Sequence, residues 1–161
     1  MNFVSAIITM SLKDRISEDI KTAMKAKDKL RLETVRSIKK VIIEEESTAR
    51  GKGQESLTEA QELAILTRLA KQRKDAIAQY TDANRTDLAD QEAAELTIIE
   101  EYLPAQVSDA EIEAIIDGLI AKTGATSAKD MGKVMGPAMK ELQGRADGAK
   151  VQAMVKSKLA G

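Results

Sequence analysis

The sequence predicts an all-α protein, with an N-terminal four-helix part followed by a small three-helix C-terminal part. Apolar residues recur three or four positions apart in seven segments, which is the spacing of an amphipathic helix. No segment alternates for long between apolar and polar residues, and only two prolines interrupt 161 residues. Aromatic residues make up 2% of the chain, so its core must be built from Leu, Ile, Val, Ala and Met.

The first ten residues, MNFVSAIITM, are apolar but fall short of the ~20 apolar residues of a membrane span. They lack the basic start of a signal peptide, and charged sequence follows without a clear cleavage site. We therefore expect residues 1–10 to be an N-terminal extension, with a signal or anchor as the alternative. Met10 begins MSLKDR, which reads like a natural start, so the first nine residues would then come from an upstream start codon.

The first two predicted helices begin at polar caps. Ser11 precedes a helix with Asp14 at its third position, and Asp28 precedes a second helix that runs to a break at residues 51–53, Gly-Lys-Gly. Each helix carries one apolar stripe: Leu12, Ile16, Ile20 and Met24 in the first, and Leu32, Val35, Ile38 and Ile42 in the second.

The third and fourth helices complete the N-terminal part. Thr58 and Gln61 have the spacing of a capping box, and a helix of about six turns follows it. Asn84 lies near the end of that helix, where a left-handed residue is common. Thr86 or Asp87 opens the fourth helix. Pro104 is expected to end it, because the helical backbone conformation is unfavourable for the residue before a proline. The domain boundary follows, with one part at 11–104 and the other at 105–161.

The C-terminal part has the clearest local signal. Ser108 and Glu111 form a predicted capping box, and Gly124 is the expected helix stop. Another helix starts at Ser127 or Asp130, and residues 136–137, Gly-Pro, are expected to kink or break it.

The last predicted helix follows a turn. Gly144 ends the preceding region, and Asp147 caps the final helix, whose apolar positions are Val151, Met154, Val155 and Leu159.

Charge is distributed unevenly along the chain, although the net charge is −1. Residues 82–117 hold eleven acidic residues and one basic residue, a net of −10, whereas residues 118–161 have a net charge of +5. One interpretation is a basic surface that meets RNA phosphate or an acidic protein. The other is that these are solvated helix faces whose positive part neutralises the acidic part.

No residue is predicted to be catalytic, and no metal or cofactor is expected. The chain has neither Cys nor His, which excludes thiol nucleophiles, imidazole acid–base chemistry and Cys/His zinc sites. Adjacent acidic pairs such as Glu100 and Glu101 point in different directions on a helix. The absence of Cys fits a reducing compartment, and we expect a cytoplasmic location and no membrane partner.

A glycine-rich stretch, DMGKVMGPAMKELQGRADG, lacks the spacing of a phosphate-binding loop. Its glycines are expected to allow close helix packing and a tight turn. In GRADG, Arg145 lies on a turn beside a helix N-terminus, and both could meet an anion. A simple capped turn is the alternative.

Five segments together resemble the YqeY-like family. They are KDxxRLETVRxIKxxI, LAKQRKDAIAQYTDANRTDLAD, EYLPAQVSDAEIEAII, TSAKDMGKVMG and GRADG, and the likeness extends from Met10 to Leu159. Members of this family are similar to the tail region of the B subunit of the glutamine-dependent aminoacyl-tRNA amidotransferase. The resemblance implies four helices followed by three, and a tail that helps to hold tRNA. It also brings the label of a carbon–nitrogen ligase with glutamine as amide donor.

Three functions are left open by this resemblance. The first is a non-catalytic module that binds tRNA through Lys129, Lys133, Arg145 and Lys150, as phosphate contacts rather than base readers. The second is a protein-interaction module that docks on an aminoacyl-tRNA synthetase, an amidotransferase or another translation-related partner. The third is an amidotransferase activity, for which no catalytic centre is visible. The oligomeric state is undetermined by the sequence.

Overall fold

The structure, a computed structural model, describes residues 10–160. The first nine residues, which belong to the expected N-terminal extension, lie outside the described residues, as does residue 161. The described part contains seven α-helices, one short 3-10 helix and no strand, which confirms the all-α class. The α-helices are α1 (Leu12–Ala26), α2 (Lys29–Gly51), α3 (Glu59–Asp82), α4 (Thr86–Glu100), α5 (Asp109–Thr123), α6 (Met131–Leu142) and α7 (Gly148–Ala160).

The described residues divide into two compact units, with the boundary between residues 103 and 104. The first unit contains α1–α4, and its core forms where α2 packs against α1, α3 and α4. Its core side chains are Leu12, Ile16, Val35, Ile38, Ile42, Ile65, Leu66, Leu69, Ala70, Ile98, Ile99 and Tyr102. Apart from Tyr102 these are aliphatic, as the composition predicts.

The second unit has its own core, formed by α5, α6 and α7, and the short 3-10 helix Ala128–Asp130 contacts α6 and α7 without contributing a buried residue. Its buried side chains are Ile112, Ile116, Ala125, Val134, Ala138, Leu142, Val151, Val155 and Leu159. Val107, which precedes the capping box of α5, packs against this cluster.

The predicted helix starts are confirmed by hydrogen bonds. The side chain of Ser11 accepts a hydrogen bond from the backbone N–H of Asp14, and that of Asp28 accepts one from Arg31. Reciprocal capping boxes join Thr58 to Gln61 in α3, and likewise Ser108 to Glu111 in α5. Such bonds satisfy N–H groups that a helix leaves without partners at its start.

The predicted left-handed stops are also present. Gly124 has φ +71° after α5, and Asn84 has φ +57° after α3. Lys27 has the same left-handed φ of +57° after α1. Because Lys is an uncommon residue in this conformation, the sequence did not indicate that stop.

Two helix ends differ from expectation. Helix α4 ends at Glu100 rather than next to Pro104, because the N–H groups of Tyr102 and Leu103 donate to carbonyls three residues earlier, those of Ile99 and Glu100. Helix α6 continues through Pro137, so the expected break is absent.

The continuity of α6 has a packing reason. Val134, Ala138 and Leu142 follow one another at four-residue spacing and are buried, so the same stripe is covered on both sides of Pro137. None of the helices in residues 10–160 combines the length and the apolar composition that crossing a membrane requires.

Candidate nucleic-acid interface

The first two predicted RNA-binding residues lie where the 3-10 helix meets α6. Lys129 is exposed, and Lys133 Nζ lies 3.3 Å from an Asp130 carboxylate oxygen. Asp130 also accepts a hydrogen bond from the backbone N–H of Thr126 at 3.0 Å. The hydrogen bond from Thr126 and, to a smaller extent, the one from Lys133 lower the pKa of Asp130. Asp130 therefore orders the turn that presents both lysines.

The exposed face of α6 combines lysines with glycines. Gly132, Gly136 and Lys140 are exposed at four-residue spacing, and Lys133 is exposed three residues before Gly136, so the four residues share one side of the helix. A Cβ added at Gly132 or Gly136 would have no heavy atom within 4 Å. The expectation of close helix packing is therefore wrong for Gly132 and Gly136, which face open space. It holds for Gly148, where an added Cβ would lie 3.1 Å from the Met139 side chain of α6.

Lys140 belongs to this face, although it is not among the four residues predicted to bind RNA. Its spacing of seven from Lys133 is two helical turns, and this was the available signal. We name the set of Lys129, Gly132, Lys133, Gly136 and Lys140 the α6 face.

The GRADG turn, residues 144–148, is held by hydrogen bonds within its own unit. The carbonyl of Gly144 accepts a hydrogen bond from Gln106 Nε2 at 2.7 Å, and the carbonyl of Arg145 accepts one from the Val107 N–H at 3.0 Å. Asp147 Oδ1 accepts from the N–H of Ala149 at 3.0 Å, so this carboxylate already occupies the start of α7. These bonds favour a capped turn over an anion site at the N-terminus of α7, but none of them involves the guanidinium of Arg145.

Arg145 is half-buried in this turn, and Lys150 is exposed on α7. Lys150 Nζ lies 2.9 Å from Asp109 Oδ1, and this hydrogen bond raises the pKa of Lys150. The four predicted residues thus lie on the 3-10 helix, α6, the GRADG turn and α7. Two of them, Lys133 and Lys150, form ion pairs within the unit.

Ion pairs absorb part of the charge asymmetry in the second unit. Lys158 Nζ lies 2.7 Å from Asp117 Oδ1 and 3.0 Å from Glu113 Oε1, and the hydrogen bonds with them raise the pKa of Lys158. Lys158 and Lys150 therefore balance acidic residues of α5. In contrast, Lys122, Lys129, Lys140, Arg145 and Lys156 form no ion pair with residues 10–160.

No group of three or more Asp or Glu side chains in residues 10–160 could hold a metal ion. A cavity of about 190 Å³ lies between the end of α2 and the start of α3. Its polar lining includes Glu45 and Arg68, which form an ion pair at 3.2 Å, together with Lys52 and Gln61. Gln61 is also the capping-box residue of α3, so part of this lining has a structural role.

A family model described as Yqey-like protein matches residues 13–159. The chain is also similar to three fungal proteins, each named "Altered inheritance of mitochondria protein 41, mitochondrial". The protein of Vanderwaltozyma polyspora is 34% identical over 122 residues, 72% of this chain and 64% of the relative. That of Lachancea thermotolerans is 37% identical over 109 residues, 66% of this chain and 57% of the relative. That of Pyrenophora tritici-repentis is 30% identical over 137 residues, 82% of this chain and 71% of the relative.

For the first two relatives, the chain spans less than two thirds of the relative's length. The cytoplasmic location expected from the sequence is wrong by this comparison, because the similar proteins are named as mitochondrial. That expectation rested on the absence of Cys, which fits more than one compartment and therefore could not distinguish between them.

Proposed function

The chain belongs to the YqeY-like family, and on this premise we propose that it is a non-catalytic RNA-binding module whose three-helix C-terminal part contacts tRNA phosphates. In this proposal the four-helix part is the scaffold, and the whole chain corresponds to the tail of the amidotransferase B subunit. The residues that contact phosphate are Lys129, Lys133, Arg145 and Lys150, together with Lys140 of the α6 face.

The observation that carries the proposal is the combination of lysines and bare backbone on the α6 face. A glycine inside a helix is less stable than alanine by roughly 0.5–1 kcal/mol. Gly132 and Gly136 impose this cost without a packing reason, because a Cβ at either position would meet open space. Close approach of a ligand backbone between exposed lysines is a function that accounts for them.

The phosphate backbone of tRNA fits such a surface. Flexible ammonium groups bind phosphates as point charges and need no shaped pocket. Base stacking is not required, and none of the three aromatic residues of the chain lies in the second unit. Recognition would therefore depend on charge and shape rather than on base identity.

The test is binding of the purified full chain to total tRNA across a salt titration. About three to five phosphate contacts should give a corresponding linear loss of log affinity with log salt. Replacing Lys129, Lys133, Arg145 and Lys150 together with Ala should weaken binding and flatten that slope. Replacing four exposed lysines of the first unit, Lys25, Lys29, Lys71 and Lys74, removes the same charge as a matched control and should change little. An unchanged slope in the fourfold variant would exclude this surface.

A steric variant separates close approach from charge alone. Gly136→Leu adds a side chain that points into open space, so the fold should be retained. It should weaken tRNA binding about tenfold while leaving the salt slope nearly unchanged, because it blocks approach without removing a cation. Equal affinity for tRNA in Gly136→Leu would argue against contact at the α6 face.

A further inference from the structure

Helix α2 presents a second basic surface, in the other unit. Val35, Ile38 and Ile42 are buried on the side of α2 that faces the core. Arg36, Lys39, Lys40 and Ile43 follow at i, i+3, i+4 and i+7, so they share one side of the helix, next to the buried side. We name these four residues the α2 face.

An apolar side chain lies among the cations of this face. Ile43 is 48% exposed, and it is one of three large apolar side chains, with Met24 and Met139, that are exposed in residues 10–160. Arg36, Lys39, Lys40, Ile43 and Glu44 line a shallow groove of about 410 Å³. Aliphatic stems of Lys and Arg extend the apolar floor that Ile43 begins.

The cations of the α2 face have no carboxylate partner in the described part of the chain, because neighbouring carboxylates of the same helix pair with other residues. Glu46 lies 2.9 Å from Lys13 Nζ and 3.6 Å from an Arg50 nitrogen, and Glu45 lies 3.2 Å from an Arg68 nitrogen. Within residues 10–160, Arg36, Lys39 and Lys40 form no ion pair. Glu44 is the one carboxylate at the groove, so the groove carries three positive charges against one negative charge.

We propose that the α2 face is a docking surface for an acidic amphipathic helix of a partner protein. One or two apolar side chains of that helix would cover Ile43, and carboxylates one turn apart on either side would pair with Arg36, Lys39 and Lys40. The face spans seven residue steps, which is about 10 Å along the helix axis, so two turns of a partner match its length.

Charge and apolar character together select this occupant. Phosphate groups would satisfy the three cations but would leave Ile43 uncovered, whereas an apolar segment without carboxylates would leave the cations unpaired. An acidic amphipathic helix meets both requirements. This surface belongs to the first unit and does not depend on the tRNA contacts proposed for the second.

The experiment titrates the isotopically labelled full chain with a synthetic helical peptide and follows backbone amide signals by NMR. The peptide carries two leucines four residues apart, with glutamates on both sides of them. A matched peptide with glutamine in place of every glutamate measures the charge dependence. We expect signal changes at Arg36, Lys39, Lys40 and Ile43 with the acidic peptide, and much weaker binding of the glutamine peptide.

Two variants separate the contributions. Ile43→Ser should weaken binding about tenfold without changing the salt dependence, because it removes only apolar contact. Arg36→Ala with Lys40→Ala should weaken binding and flatten the salt dependence. The matched controls are Met24→Ser, an exposed apolar residue elsewhere, and Lys71→Ala with Lys74→Ala; both should bind like the unaltered chain.

Three results would overturn the proposal. The first is an acidic peptide that leaves the α2 signals unchanged. The second is tRNA that shifts these signals with equal affinity in Ile43→Ser, which would make the surface a phosphate contact. The third is self-association of the chain that is lost in Arg36→Ala with Lys40→Ala, which would make the occupant a second copy.

Discussion

The phenolic hydroxyl of Tyr102 donates a hydrogen bond to Asp19 Oδ2, although Tyr102 lies 83 positions after Asp19 in the sequence. Arg31 donates two further hydrogen bonds to the same carboxylate, at 2.6 and 2.8 Å, and one to Glu101 at 2.7 Å. The guanidinium of Arg15 lies 5.2 Å from the centre of the Tyr102 ring. This cluster ties the turn after α4 to α1 and α2, so Tyr102 positions the end of the first unit.

Tyr102→Phe tests the strength of that tie. The ring and its contact with Arg15 are kept, but Asp19 loses one of its hydrogen bonds while remaining largely buried. A hydrogen bond to a charged group contributes about 1.5–3 kcal/mol, so we expect the free energy of unfolding to fall by about 2 kcal/mol. Urea denaturation, monitored by circular dichroism, would measure this change in the free energy of unfolding. Tyr80→Phe is the control and should change the stability little; an equal loss in both variants would contradict a specific role for Tyr102.

Asp19 should make the stability of the protein depend on pH in the acidic range. Burial raises the pKa of Asp19, but hydrogen bonds from Arg31 and Tyr102 outweigh it, so the pKa lies below its usual value. A carboxylate with a lowered folded pKa stabilises the fold above its unfolded pKa of about 4, and this contribution is lost as the pH falls through the folded pKa.

The measurement compares the unaltered chain with Asp19→Asn across pH 2–7. The difference in unfolding free energy should be largest near pH 7 and should shrink below about pH 4, where Asp19 of the unfolded chain takes up a proton before that of the folded protein. Because other acidic residues titrate in both proteins, the difference isolates Asp19. A difference that stays constant over the whole range would show that the carboxylate charge does not stabilise the cluster.

Gly132→Ala and Gly136→Ala should each stabilise the protein, by about 0.5–1 kcal/mol. Both glycines are inside α6, neither has a positive φ, and an added Cβ meets no atom within 4 Å. Gly124→Ala is the matched contrast. Its φ of +71° is strained for alanine, so it should destabilise the protein by about 1–2 kcal/mol although the space around it is also open. Thermal unfolding of the three variants would check the opposite signs.

Arg73 joins α3 to α4 through two carboxylates. Its Nε lies 2.8 Å from Glu95 Oε2 and 3.4 Å from Glu92 Oε2, and all three side chains are largely buried. The geometry gives Arg73 Nε and Glu92 Oε2 no hydrogen bond, so the contact is chiefly one of charge. Arg73→Met would leave two carboxylates facing each other without a cation, and we expect a loss of about 2–3 kcal/mol.

A rescue experiment gives the Arg73 prediction its control. Adding Glu92→Gln and Glu95→Gln to Arg73→Met removes the uncompensated negative charge, and most of the lost stability should return. If the triple variant is as unstable as Arg73→Met, packing of the Arg73 side chain rather than its charge joins the two helices.

Local features of the fold could be predicted because each is encoded within one or two turns of helix. The caps at Ser11, Asp28, Thr58 and Ser108 are bonds between residues three positions apart, and each is present. Pro137 shows the limit of such reasoning, since its local preference is to break a helix. The buried stripe of Val134, Ala138 and Leu142 carries α6 past it.

The candidate surfaces were less predictable, because charge counting along a sequence does not say which charges meet. Lys150 and Lys158 contribute to the positive total of the C-terminal part, yet they pair with acidic residues 41 and 45 positions earlier. The α2 face was not predicted, because its cations become distinctive only once Glu45 and Glu46 are seen to pair with other residues.

The sequence by itself determined that this protein is helical, where most of its helices begin and end, and that its core is aliphatic. Hydrogen bonds between near neighbours and the 3.6-residue period carry that information. Only the tertiary structure decided that Tyr102 holds Asp19, that Gly132 and Gly136 face open space, and that Ile43 is exposed among unpaired cations. These relationships depend on which helix faces pack together, and that choice joins residues too far apart for local pattern to specify.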